Sequence, residues 1–150
     1  MEKIILTKNI FGEAFVKRSN YLGTFGPNSI NSQELTDEEI VQGILKPFGT
    51  VALAELAKGK KSALIVTDDN TRQTPLQRIL PAILAELETG GIKAENITIL
   101  IGLGTHRHMT EEEIVEKFGK EISDKYNVVN HDWDNPTQLI SYGKCELNFE

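Results

Sequence analysis

The sequence predicts an α/β fold with a doubly wound, mainly parallel, Rossmann-like sheet, and three observations support this prediction. Apolar runs suited to buried strands, at 62–67, 97–101 and 126–129, alternate with segments of helical periodicity. Capping-box spacing precedes two helical segments, and glycines follow them. Strands that alternate with helices are typical of βαβ units, whose strands run parallel.

The amino-terminal part has weaker signals. Lys3–Leu6 predicts a short edge strand, and Ser19–Ser32, rich in Asn, Gly, Ser and Pro, predicts a long irregular connection. A second helix is expected over Ala52–Lys58, ending at Gly59. Before it, the capping box Thr36–Glu39 predicts a helix that buries Ile40, Ile44 and Leu45.

The carboxyl-terminal part repeats the strand and helix pattern. Thr74 and Pro75 mark a helix start, and the capping box Thr110–Glu113 marks another. The second of these helices should bury Ile114, Val115 and Phe118. Leu139 and Ile140 are a candidate start of a fourth strand. The apolar face of the first helix consists of Leu76, Ile79, Leu80, Ile83, Leu84 and Leu87.

Composition limits the classes of function. A chain of 150 residues with 39% hydrophobic residues fits one domain, 1–150. The net charge of -6 disfavours nonspecific binding to nucleic acid or to an anionic membrane. No stretch has the apolar length of a membrane helix, and the first residues lack a signal-peptide pattern. The single cysteine, Cys145, cannot form an internal disulfide, so the prediction is a cytoplasmic protein.

Polar and ionisable residues follow each of the three predicted parallel strands. They form the segments Asp68–Arg72, Gly102–His108 and Asn130–Asp132, which together include all 3 histidines. Ligands of open α/β sheets bind beyond the carboxyl ends of the strands. The sequence therefore predicts a functional site at this edge of the sheet.

Two interpretations of the first segment stay open. Asp68 and Asp69 are typical of turns and helix caps, and such segments are common without a functional role. Arg72 favours function, because a guanidinium in the first turn of a helix is unfavourable against the helix dipole unless an anion binds there. Gly102 and Gly104 indicate a tight turn, since the third glycine of a dinucleotide-binding motif is missing.

The three histidines differ in how well they suit a functional role. His106 is the candidate acid/base group, because imidazole titrates near neutral pH. A metal site made by His106 and His108 alone is disfavoured, since residues two apart point to opposite faces of an extended segment and no cysteine or spaced histidine completes the ligands. We predict no metal ligands in this chain. His131 is either oriented by Asp132 or an ordinary loop histidine, and the second interpretation is favoured.

Four segments, 47–57, 67–75, 102–113 and 129–132, resemble the amino-terminal domain of the lactate racemase family. The resemblance implies a two-domain enzyme that holds a nickel-pincer nucleotide, a pyridinium mononucleotide that binds Ni(II), between its domains. It implies racemisation or epimerisation of a small 2-hydroxyacid such as lactate, by hydride transfer to the cofactor. Protein groups would then supply acid/base chemistry and orientation.

By this resemblance, Asp69, Asn70, Thr71 and Arg72 bind the cofactor, Arg72 also binds the substrate carboxylate, and His106 is catalytic. The resemblance places a second catalytic histidine, a cofactor-tethering lysine and the nickel-binding histidine beyond Glu150, in a carboxyl-terminal domain that would be the partner of this one. The 150 residues alone are thus expected to be inactive. The alternative is a nucleotide- or anion-binding module without catalysis, and a homo-oligomer is compatible with either function.

Overall fold

The computed structural model describes residues 2–7, 12–23, 33–137, 139–141 and 143. Contacts divide the chain into two compact units, Met1–Glu34 and Leu35–Glu150.

The first unit contains an antiparallel pair of strands, β1 (Glu2–Thr7) and β2 (Gly12–Val16). The strand predicted at Lys3–Leu6 is confirmed, whereas its partner β2 was not predicted. A short 3-10 helix at Arg18–Asn20 follows. Most of the predicted irregular connection, residues 24–32, lies outside the described residues.

The second unit is built on a parallel sheet of three strands in the order β3, β4, β5. The strands are β3 (Ala63–Asp68), β4 (Ile97–Gly102) and β5 (Asn127–Asn130). All three predicted strands are confirmed. Residues 139–141 have no regular secondary structure, so no fourth strand is seen there.

Among the described residues, five helices accompany this sheet, and both predicted capping boxes are present at Thr36 and Thr110. A second 3-10 helix, Ala94–Asn96, leads into β4. The helices are α1 (Asp37–Leu45), α2 (Leu53–Ala57), α3 (Leu76–Thr89), α4 (Glu111–Phe118) and α5 (Lys120–Lys125).

The core lies on one face of the sheet. Ile97, Ile99 and Ile101 of β4 are fully buried, as is Phe118 at the end of α4. Alternate residues of a strand point to opposite faces, so these three isoleucines share a face. They cluster with the predicted apolar face of α3, of which Leu76, Leu80, Leu84 and Leu87 are buried.

The opposite face is much less covered in the described part of the chain. Leu64 and Val66 of β3 are 61% and 65% exposed. The strands follow one another across the sheet in the order of the sequence. Right-handed crossovers therefore place the helices that connect them on the same face of the sheet. The predicted α/β fold with a parallel sheet flanked by helices is confirmed. The doubly wound arrangement, with helices on both faces of the sheet, is only partly present in the described residues.

The predicted burial of two helices needs correction. Helix α1 has no fully buried residue, and its main packing partner is α3. Leu45, expected in the core, is 37% exposed, and Val115 of α4 is 39% exposed. Among the described helices, none is both long and apolar enough to cross a lipid bilayer.

Candidate active site at the carboxyl ends of the strands

The register of the sheet brings the three polar segments to one edge. Asp68, the last residue of β3, lies opposite Gly102, the last of β4, and Asn130 of β5 lies opposite Ile101. The segments that follow these strands are therefore neighbours, as the sequence predicted. Gly104 has a φ of 60°, which fits the predicted tight turn after β4.

The central contact of this edge joins Asp69 to His106. Asp69 Oδ2 lies 2.5 Å from His106 Nδ1. The other carboxylate oxygen, Oδ1, accepts hydrogen bonds from the backbone N–H and the hydroxyl of Thr71, at 3.0 and 2.5 Å. Asp69 is buried, with 4% of its surface exposed, whereas 57% of the His106 side chain is exposed. The carboxylate is thus fixed inside the protein, and the imidazole faces outward.

The charge of Asp69 decides how the imidazole is oriented. Burial raises the pKa of Asp69, but hydrogen bonds from Thr71 and His106 outweigh burial and lower the pKa to about 2. Asp69 is therefore ionised at neutral pH and can only accept hydrogen bonds. Nδ1 of His106 must then carry the proton, and in the neutral imidazole Nε2 is left as an acceptor.

The backbone around His106 is held by groups that the sequence did not identify. The N–H of His106 donates to the carbonyl of Leu103 at 3.0 Å, and Trp133 Nε1 donates to the carbonyl of His106 at 2.9 Å. The Asn130 side chain accepts from the N–H of Met109 at 2.9 Å and donates to its carbonyl at 3.0 Å. The segments after β4 and β5 are therefore tied together at His106 and at Met109.

Replacing Asn130 with alanine leaves the N–H and carbonyl of the buried Met109 backbone without these partners. We expect the free energy of unfolding of the 150-residue chain to fall by about 2 kcal/mol. Asn127→Ala, in the same strand, removes only an exposed 3.3 Å bond to Thr98 and should cost less than about 0.5 kcal/mol. Urea unfolding of both variants checks this, and equal losses would contradict the role assigned to Asn130.

Asp68 has a structural role, in line with the turn interpretation. Its carboxylate accepts from the hydroxyl of Thr74 and lies 2.9 Å from Nζ of Lys117, whose side chain is only 7% exposed. The same Nζ donates to the carbonyl of Arg72 at 3.1 Å. Burial raises the pKa of Asp68, and its bonds to Thr74 and Lys117 outweigh burial and lower it. Lys117 thus fastens α4 to the segment that carries Arg72.

Glu113 connects the first two segments. Besides closing the capping box with Thr110, its carboxylate receives two bonds from Arg107, at 2.8 and 2.7 Å, and one from Asn70 at 3.0 Å. The hydrogen bond from Arg107, followed by the backbone hydrogen bond from Thr110, outweighs burial and lowers the pKa of Glu113 to about 2. The sequence identified Glu113 only as part of a capping box.

Arg72 lies in a turn and not in the first turn of a helix, because α3 begins only at Leu76. The helix-dipole argument for Arg72 was therefore wrong. Its backbone N–H donates to the carbonyl of Asp69 at 3.2 Å. The residue is exposed, and within the described ranges no ion pair or side-chain hydrogen bond engages the guanidinium. Its N–H donors are available to an anion.

The other two histidines lie at the same edge without contacting Asp69. His108 Nε2 is 4.0 Å from Asp132 Oδ1, so Asp132 faces His108 and not its neighbour His131. The half-buried His131 donates its backbone N–H to the carbonyl of Ile101 at 3.0 Å. This arrangement agrees with the favoured interpretation of His131 as a loop histidine.

The family model and the relatives that this chain matches point to the same family. Residues 11–150 match the family model described as lactate racemase N-terminal domain. Over 121 residues, covering 76% of this chain, the sequence is 38% identical to a lactate racemase of Thermoanaerobacterium thermosaccharolyticum. Over 133 residues, covering 87% of the chain, it is 32% identical to a lactate racemase of Lactiplantibacillus plantarum. The chain spans only 28% and 31% of the lengths of these two relatives.

Solved structures agree with the sequence matches. The lactate racemase apoprotein of T. thermosaccharolyticum superimposes with a TM-score of 0.68 and 35% identity, over 75% of this chain and 27% of that one. A crystal structure of a Thermotoga maritima protein superimposes with a TM-score of 0.53 and 29% identity, over 73% of this chain and 24% of that one. The family model matches residues 11–150, and the fold contains the parallel sheet expected of it. This chain therefore belongs to the lactate racemase N-terminal domain family.

Proposed function

We propose that these 150 residues form one wall of the active site of a longer protein, a nickel-pincer nucleotide-dependent racemase or epimerase of 2-hydroxyacids such as lactate. The observation that carries the proposal is the buried Asp69 carboxylate held 2.5 Å from His106 Nδ1, with the exposed Arg72 on the same segment as Asp69. Family membership supplies the substrate class, because both relatives are lactate racemases.

His106 is the acid/base group in this proposal. Asp69 holds the Nδ1 proton, so the outward Nε2 can accept the proton of the substrate hydroxyl and later return it. Because the Asp69 carboxylate is buried and ionised, it also stabilises the imidazolium that forms. Asp69 itself is a positioning residue that acts through His106.

Arg72 binds the substrate carboxylate in this proposal. A planar guanidinium matches a carboxylate with two parallel hydrogen bonds, which fixes the orientation of the acid as well as its charge. The absence of any protein partner for the guanidinium, within the described residues, is what such a role needs.

The segment Asp69–Arg72 fits an anionic cofactor best through Arg72, whose guanidinium has no side-chain partner within the described ranges. Asn70 donates one of its two amide N–H groups to Glu113, and Thr71 donates its hydroxyl to Asp69. Their assignment to the cofactor stays a prediction. When bound, the nickel-pincer nucleotide supplies the hydride acceptor and donor. His106 and Arg72 would hold the proton and the carboxylate of the substrate beside it.

A single base cannot complete the reaction. Inversion of a stereocentre requires groups on both of its faces, and neither His108 nor His131 contacts Asp69 or shares the setting of His106. We propose that the second catalytic histidine, the cofactor lysine and the nickel-binding histidine come from a carboxyl-terminal domain. The 150 residues alone are then inactive. A cytoplasmic location and a homo-oligomer also stay proposals.

The second candidate function is nucleotide or anion binding without catalysis, which also agrees with an Arg72 guanidinium that has no side-chain partner among the described residues. Both functions predict that Arg72→Ala weakens ligand binding, by about 10- to 100-fold for a lost charged hydrogen-bond pair. They differ in the ligand. Isothermal titration of the full-length protein should show 2-hydroxyacid binding to the cofactor-loaded enzyme that depends on Arg72, with Lys93→Ala as a surface control at the opposite end of β4.

In this titration, Arg72→Lys should recover only part of the affinity, because it keeps the charge and loses the planar pair of donors. Binding of nucleoside phosphates but of no 2-hydroxyacid would favour the second function. Hydroxyacid binding that Arg72→Ala leaves unchanged would remove Arg72 from its assigned role.

A further inference from the structure

A second cluster of ionisable groups, separate from the Asp69–His106 pair, lies on the segments after β4 and β5. The ligand atoms of His108, Asp132 and Asp134 all lie within 4.8 Å of one another. We propose that this cluster, named here the His108 cluster, binds a divalent first-row transition metal ion such as Zn²⁺. The site is distinct from the nickel of the proposed cofactor.

The contacts of the His108 cluster do not compensate the negative charges of its two carboxylates. His108 Nε2 and Asp132 Oδ1 are 4.0 Å apart, and their side chains are 49% and 44% exposed, so an ion pair between them contributes little. Asp132 and Asp134 place two like charges close together, and within the described part of the chain neither has a lysine or arginine partner. A bound divalent cation would offset this repulsion.

The two segments are already held in place for such an ion. The Asn130 side chain binds the backbone of Met109, next to His108, and Trp133, between the two aspartates, donates to the carbonyl of His106. Asn135 Nδ2 donates to Asp132 Oδ2 at 2.8 Å, which leaves Oδ1 turned toward His108. Outer hydrogen bonds of this kind orient ligating carboxylates.

The donor set defines the class of metal. One imidazole nitrogen with two carboxylate oxygens suits Zn²⁺, Co²⁺, Ni²⁺ or Mn²⁺, whereas Ca²⁺ and Mg²⁺ favour oxygen ligands alone. Zn²⁺ holds its ligand atoms at about 2.0–2.2 Å, so binding draws the three side chains together. Their exposure allows this movement, and water would complete the coordination. The metal would then tie the segment of His106 to the segment after β5.

Calorimetric titration of ZnCl₂ into the 150-residue chain tests the proposal. We expect one saturable site, with the affinity lowered by about tenfold or more in His108→Ala and in Asp132→Asn. His131→Ala is the matched control and should bind like the unaltered chain, because His131 is not part of the cluster. Absence of saturable binding, or full affinity in His108→Ala, would overturn the proposal.

A second measurement does not depend on any variant. The chain has 3 histidines, so its imidazole ¹⁵N spectrum contains three separate ring systems. Addition of ZnCl₂ should shift the ring resonances of His108 and leave those of His131 in place. A shift confined to His106 or His131 would reject the site. Because His106 and Asp69 lie outside the cluster, failure here leaves the proposed racemase function untouched.

Discussion

Replacing His106 with glutamine in the full-length, cofactor-loaded protein should lower kcat for racemisation by about 100- to 10,000-fold, the range typical of a lost general acid/base group. Glutamine retains a hydrogen-bond donor for Asp69, so the buried carboxylate keeps a partner and the fold is preserved. It cannot take up the hydroxyl proton at neutral pH. The loss should therefore fall on kcat and much less on KM.

The matched control for this variant is His131→Gln, which alters a histidine of the same edge that has no contact with Asp69. Chiral analysis of lactate after incubation of one enantiomer with each loaded variant measures the effect. Circular dichroism and nickel content should be the same in both variants. An unchanged rate of racemisation in His106→Gln, or equal losses in both, would remove His106 from catalysis.

Asp69→Asn should lower kcat by about 100- to 10,000-fold, as expected when a buried carboxylate that orients a catalytic imidazole is lost. An amide presents a donor as well as an acceptor, so it no longer forces the proton onto Nδ1 of His106. KM should change little, because Asp69 touches His106 and Thr71 and not the substrate. Asp124→Asn, which alters an exposed aspartate of α5 paired with Lys120, should have a much smaller effect. Equal kcat losses in the two variants would contradict this positioning role.

The same substitution gives a prediction for stability against pH. The pKa of Asp69 is lowered from 3.8 to about 2 in the folded chain, so the unfolded state binds its proton first. The stability from this carboxylate is present above about pH 4 and is lost as the pH falls through about 2. Urea unfolding of the 150-residue chain between these pH values should therefore show a shallower pH dependence in Asp69→Asn. Identical slopes would show that Asp69 is not linked to folding.

Much of the fold of the second unit could be predicted because its signals are local. Apolar runs mark β3, β4 and β5, and each capping box lies within four residues, at Thr36–Glu39 and Thr110–Glu113. The missed strand β2 pairs with β1 through contacts that no periodicity reveals. The exposure of Leu64 and Val66 was also missed, because an apolar run does not show which face of a strand is covered.

The site was predicted as a location and not as a set of contacts. Strand ends placed Asp69 and His106 at one edge, but only the folded chain shows that their side chains meet. The sequence placed Asn130 at this edge without a role and did not identify Trp133 or Lys117, because each acts through a hydrogen bond to a residue distant in sequence. Their residue types carry no catalytic signal. For Asn130, the position at the end of β5 was the one available indication.

The most direct test of the proposed function is chiral analysis of lactate after incubation of a single enantiomer with the full-length, cofactor-loaded protein and, in parallel, with the isolated 150-residue chain. The proposal predicts that the full-length protein converts either enantiomer to the racemic mixture and that the isolated chain converts neither. Racemisation by the isolated chain would contradict the assignment of this domain to one wall of the site. Failure of the loaded full-length protein to invert lactate or any other 2-hydroxyacid would contradict the proposed function itself.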